Sequence, residues 1–121
     1  MADEGGGVIV NIAASAGHPN PLPDGVGYVA SKTGVLGVTK QCAREFAPLG
    51  IRVNAVCPGN IETSYPTESP SASPANPQGR YGTPDDVAAA AHFLASPAAS
   101  FITGQVIAVN GGRRQSWSTG P

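Results

Sequence analysis

Ile51-Arg52-Val53-Asn54-Ala55-Val56-Cys57 reads as a strand inside a parallel sheet, because small and β-branched apolar residues dominate it almost without interruption. Pro58-Gly59 then turns the chain. Immediately upstream, Val35, Leu36, Val38, Ala43 and Phe46 recur at near-helical spacing, predicting one long helix over 28–49 that ends near Pro48 and Gly50. Before that helix, residues 18–27 carry three prolines and an Asp-Gly pair and read as a loop. Val8-Ile9-Val10-Asn11-Ile12 is a further buried strand, entered through the flexible turn expected of Gly5-Gly6-Gly7. Downstream, residues 64–79 hold Pro66, Pro70, Pro74 and Pro77 among serines and threonines, a composition that disfavours regular structure and suits a lid or linker. Pro84 opens a helix over 84–95, with Asp85 and Asp86 complementing its dipole, and residues 105–109 form the last strand. Strand, helix, strand, helix, strand implies a parallel sheet with crossover helices, half of a doubly wound α/β fold.

With 121 residues the chain is one small domain at most. A net charge of −1 and 12% charged residues leave no basic footprint for nucleic acid and no polybasic segment for an anionic membrane. Cys42 and Cys57 lack metal-ligand spacing, as do His18 and His92, so no metal site is expected. The amino terminus shows neither the basic start nor the apolar stretch of a signal peptide, and no apolar run approaches a membrane span. A cytoplasmic, soluble protein is the expectation.

The chemistry centres on Tyr28-Val29-Ala30-Ser31-Lys32. Four residues is close to one helical turn, which sets the phenol and the ammonium on one face. A phenol is a poor base at neutral pH, and an adjacent ammonium favours the phenolate, equipping a tyrosine to exchange a proton with a substrate hydroxyl. Three further stretches follow in order: Gly50-Ile51-Arg52-Val53-Asn54-Ala55-Val56-Cys57-Pro58-Gly59-Asn60-Ile61-Glu62-Thr63, Arg80-Tyr81-Gly82-Thr83-Pro84-Asp85-Asp86-Val87-Ala88, and Ile102-Thr103-Gly104-Gln105-Val106-Ile107-Ala108-Val109-Asn110-Gly111-Gly112. Together these motifs resemble the carboxy-terminal half of a short-chain dehydrogenase/reductase.

The resemblance implies a Rossmann fold of which this chain holds the last three strands and two helices as a partial domain over 1–112, followed by a polar tail over 113–121 that contains Trp117. It implies an NAD- or NADP-dependent oxidoreductase that interconverts a secondary alcohol and a ketone. Tyr28 would be the acid/base and would contact the cofactor. Lys32 would favour the phenolate and bond the nicotinamide ribose. Pro58, Gly59, Ile61 and Thr63 would hold the nicotinamide end. A small-molecule alcohol or ketone is the expected substrate, and a homo-oligomer through the helix 28–49 the expected assembly, since in the family that helix contributes to a subunit interface. Its face bearing Leu36, Ala43 and Phe46 is expected to be exposed.

The sequence departs from the family at the catalytic serine. Counting back from Gly17, the family's serine position falls on Ala14, and Ser15 is its neighbour. Ser15 remains a catalytic candidate if a local shift brings it into place, although adjacent strand residues point to opposite faces. Gly25-Val26-Gly27-Tyr28-Val29-Ala30 fits a dinucleotide fingerprint on paper, with Glu45 as its acid. A proline-rich loop precedes it where a strand is required, so the fingerprint is rejected. Ala13-Ala14-Ser15-Ala16-Gly17 similarly fails as a hydrolase elbow, because His18-Pro19-Asn20-Pro21 cannot begin the required helix. Arg52 and Asn54 are expected to bond neighbouring backbone at strand edges. The alternative to an enzyme is a noncatalytic remnant or interaction module that associates through the active-site helix.

Overall fold

The computed structural model describes residues 1–14, 25–62 and 76–113. The elements are β1 (Gly7–Ile12), α1 (Gly25–Phe46), β2 (Ile51–Pro58), α2 (Pro84–Ala95) and β3 (Val106–Val109), with short 3-10 turns at Ala2–Glu4, Ala47–Leu49 and Pro97–Ala99. The strands form one parallel sheet in the order β1-β2-β3. Gly7 lies opposite Ile51 and Ile12 opposite Val56, while Ala55 and Pro58 face Val106 and Val109 on the other side. The expected α/β architecture is therefore present. The long helix begins at Gly25, earlier than Tyr28, and gives way after Phe46 to a 3-10 turn that contains Pro48 and is capped by Gly50 at φ 72°.

β2 is central, and both of its faces are covered: Val53, Ala55, Val56 and Cys57 are buried. Ile51 and Val53 pack with Ala43, Cys42 and Phe46 of α1 and with Ile9 of β1. Arg52, which alternates to the opposite face, reaches the Leu94 carbonyl at the end of α2. The helices thus cover opposite faces while the strands advance in one direction, which makes the two crossovers of opposite hand and one of them an exception to the right-handed rule.

Three expectations change. Ala43 is 4% exposed and packs on the sheet with Phe46, so their face of α1 is not the exposed one. The helix instead presents Val26 and Val38, 86% and 57% exposed, to solvent. The glycines before β1 form a close approach, since Gly6 has φ 128° and a Cβ there would lie 2.5 Å from the Gly50 carbonyl oxygen. Arg52 and Asn54 do bond backbone, but from the central strand to partners distant in sequence. Arg52 donates to the carbonyls of Leu94, Ile102 and Ser96. Asn54, wholly buried, donates to the Ile102 carbonyl at 2.9 Å and accepts from the Gln105 amide at 3.0 Å, fixing the entry to β3.

Candidate active site

The parallel register brings Ile12, Pro58 and Val109 to the same end of the sheet, the carboxyl ends of the strands. Ligands of open α/β sheets bind there, where loops leave the strands and can diverge around a bound molecule. α1 places its chemistry over this end. Lys32 Nζ donates to the Ile12 carbonyl at 3.3 Å, tethering the ammonium at the last residue of β1. Tyr28 lies one turn earlier on the same helix face and is half-buried, as is Lys32. Ser31 folds back onto the helix and donates to the Tyr28 carbonyl at 2.8 Å.

Two residues that the sequence reading passed over hold this helix in place. Asn11 of β1 donates to Thr39 Oγ1 at 2.9 Å, and that hydroxyl donates to the Val35 carbonyl at 2.7 Å. Thr39 is two turns beyond Lys32 on the sheet-facing side and wholly buried. The available signal was an asparagine inside an otherwise apolar strand, since a buried amide needs a partner on the layer that covers it.

At the end of β2, Gly59 is required by the neighbouring strand. Its amide donates to the Val109 carbonyl at 2.8 Å, and a Cβ there would lie 2.9 Å from Asn110 Cα. The close backbone approach at this glycine is thus made with the end of β3. Ile61 forms an isolated parallel bridge with Gly82. The Gly82 amide donates to the Asn60 carbonyl at 2.9 Å, and the Glu62 amide donates to the Gly82 carbonyl at 2.8 Å. The backbone N–H of Ile61 points away from Gly82 and has no hydrogen-bond partner among the described residues. Ser15 and Thr63, the remaining site candidates, lie outside the described residues, as do residues 114–121.

A polar cleft of about 320 Å³ adjoins this turn, bordered by Asn60, Asn76, Arg80, Asp86, Asn110 and Gly111. Arg80 is paired with Asp86 at 2.7 Å. That hydrogen bond, helped by the Thr83 amide, holds the Asp86 carboxyl well below the usual range, and the same bond to Asp86 raises the Arg80 guanidinium. Burial pushes the Cys57 thiol up, in keeping with an inert core cysteine. Among the described residues there is no group of side chains suited to a metal, and no helix is long and apolar enough to cross a membrane.

The donors fit a nicotinamide cofactor on two counts. Lys32 commits one of its N–H bonds to Ile12 and has others to offer to hydroxyls, and the Ile61 amide, on the same end of the sheet, has no partner among the described residues. The family described as Enoyl-(Acyl carrier protein) reductase matches residues 1–114. A 3-oxoacyl-(acyl-carrier-protein) reductase of Thermotoga maritima is 44% identical over 118 residues, 93% of this chain and 47% of that protein. A 3alpha-hydroxysteroid dehydrogenase of Mediterraneibacter gnavus is 43% identical over 119 residues, 94% of this chain and 47% of the relative. A solved structure from Beutenbergia cavernae, assigned as an NAD(P) dependent gluconate 5-dehydrogenase with NADP bound at low occupancy, superposes with TM-score 0.81 at 37% identity, covering 92% of this chain and 47% of its own. The chain therefore spans about half the length of the relatives it matches. Strand order, the Tyr28-Lys32 turn and the extent of these matches lead to one conclusion: the chain belongs to the short-chain dehydrogenase/reductase family.

Proposed function

We propose that the protein carrying this chain is an NAD- or NADP-dependent oxidoreductase that interconverts a secondary alcohol and a ketone. The observation that carries this reading is the tether from Lys32 to the Ile12 carbonyl, which sets an ammonium at the carboxyl end of β1 one helical turn from Tyr28. The nicotinamide, when bound, supplies the hydride acceptor or donor. Tyr28 Oη takes the proton of the alcohol in oxidation and returns it to the carbonyl oxygen in reduction, so charge on oxygen never builds up unshared. Lys32 places positive charge beside the phenol and offers its remaining N–H bonds to the nicotinamide ribose. Pro58, Gly59 and Ile61 form the wall against the nicotinamide, with the Ile61 amide as a donor for its carboxamide. Ser15 and Thr63 complete the proposed set, Ser15 as a donor to the reacting oxygen and Thr63 beside the carboxamide. The proposed setting is the cytoplasm.

In the full-length protein, or in this chain joined to the amino-terminal half of a close relative, Tyr28→Phe should lower turnover at least about a hundredfold and leave cofactor binding nearly intact. Lys32→Ala should impair both. Turnover by the phenylalanine variant at the parental rate would overturn the mechanism. A homo-oligomer is also proposed, and exposed Val26 and Val38 favour the outward side of α1 as its contact. The same side would serve a noncatalytic interaction module, which complete absence of turnover in the full-length protein would support.

A further inference from the structure

We infer that Arg80 is a positioning residue, which acts through Asp86 and Gly82 to aim the Ile61 backbone amide at the nicotinamide site; the inference rests on the function proposed above. Arg80 grips the Asp86 carboxylate with both arms of its fork, Nη1 at 2.7 Å from Oδ2 and Nη2 at 3.3 Å from Oδ1, and Nη1 also donates to the Tyr81 carbonyl at 3.0 Å. Asp86 is at the same time the third residue of a capping box: its Oδ2 accepts from the Thr83 amide at 2.9 Å, and its amide donates to Thr83 Oγ1 at 3.2 Å. A cap needs only Thr83 and Asp86. Arg80 adds a second tether on the far side of Gly82, so the backbone of residues 80–83 is wrapped around the first turn of α2 and held at both ends.

Gly82 sits between those tethers and holds Asn60 and Glu62, the residues flanking Ile61. The absence of a side chain at Gly82 leaves room for Ile61 in its present rotamer, since a Cβ there would lie 2.5 Å from Ile61 Cδ1. The other end of α2 is anchored in the molecule by Leu94, wholly buried, whose carbonyl accepts from Arg52 of β2. A continuous set of bonds therefore refers the Ile61 amide to the central strand through a rigid helix. Exposed ion pairs contribute little to stability because water screens them. With the Arg80 and Asp86 side chains 54% and 33% exposed, the pair governs where residues 60–62 sit more than whether the domain folds.

The test is amide hydrogen exchange by NMR on Arg80→Gln and Arg80→Lys, reading the Glu62 and Gly82 amides, with the Ala55 amide on the Gln105 carbonyl as the reporter of global opening. Glu62 and Gly82 should exchange about fivefold faster in Arg80→Gln while Ala55 is unchanged, and Arg80→Lys should recover part of the protection. In the full-length protein the cofactor KM should rise about fivefold with kcat altered less than about twofold, the sign of lost binding without lost chemistry. Unchanged exchange at Glu62, equal acceleration at all three amides, or an unchanged cofactor KM would each overturn the assignment. The exchange measurement requires no turnover, so a failure of the proposed activity appears in the Tyr28→Phe assay and leaves this readout standing.

Discussion

Gly59 and Gly82 lack side chains for the same steric reason but against different neighbours, and the difference sets what a methyl group at each would cost. At Gly59 the added Cβ would meet the Asn110 backbone, with Cα at 2.9 Å and Cβ at 2.8 Å, at a junction where the Gly59 amide is bonded to β3. Backbone in a paired strand end cannot swing aside without breaking its ladder, so Gly59→Ala should destabilise the domain by about 1–3 kcal/mol, the usual range for overpacking. At Gly82 the neighbour is Ile61 Cδ1, the tip of a side chain that can change rotamer. Gly82→Ala should therefore cost clearly less. Urea unfolding midpoints of the two variants check the order, and an equal or larger loss at Gly82 would refute the argument. Tyr28 and Lys32 belong to this scale too, and their place on one face of α1 could be read from spacing alone. The tether that orients Lys32 could not, because its acceptor, the Ile12 carbonyl, is a backbone group twenty residues away.

The start of α2 is where charge and helix geometry reinforce each other. Asp86 has its carboxyl depressed first by the Arg80 hydrogen bond and next by the Thr83 amide. A carboxyl whose folded pKa lies below its unfolded value stabilises the folded state above the unfolded pKa and loses that contribution as pH falls toward the folded one. Protection of the amides in the first turn of α2 should consequently weaken as the pH is taken below the ordinary carboxylate range. Asp86→Asn, which cannot titrate, should show weaker protection at neutral pH and a flatter decline. Exchange rates of the Asp86 and Val87 amides at several pH values provide the check, and identical pH profiles in parent and variant would count against it. The sequence signalled this helix start through Pro84 and the two acids. It did not assign Asp86 to two partners, since Thr83 and Arg80 converge on it only once the chain has turned through Gly82.

The described residues present one end of a three-stranded parallel sheet, with Tyr28, Lys32 and the proposed nicotinamide wall on it, in a chain of about half the length of its relatives. Affinity for a dinucleotide draws heavily on phosphate held at a glycine turn and helix amino terminus. Among the described residues no glycine turn leads directly from β2 or β3 into a helix, and the glycines at 25 and 27 belong to the first turn of α1 itself. The 121-residue chain alone should therefore bind NAD(H) or NADP(H) only weakly, with dissociation constants above about 100 μM, an affinity weaker than roughly −5.5 kcal/mol. Calorimetric titration tests this, and low-micromolar binding would contradict it.

What the sequence determined by itself was whatever depends on residues near one another in the chain. The apolar runs of β1 and β2, the helical spacing of α1, the proline and acids that open α2, and the turn that unites Tyr28 with Lys32 all follow from local periodicity and stereochemistry. The resemblance carried in four ordered motifs then identified the family. Only tertiary structure decided which face of α1 is buried, because Val26, Val29, Val35, Leu36 and Val38 are spread around its first turns among small residues and mark neither side as the inner one until the sheet selects it. It alone decided that Gly59 serves β3, that Asn54 splices the entry to that strand, and that Gly82 bridges Ile61. Each of those contacts joins groups far apart in sequence or brings two backbones within van der Waals distance. Such proximity is a property of how layers pack, which no single stretch of residues encodes.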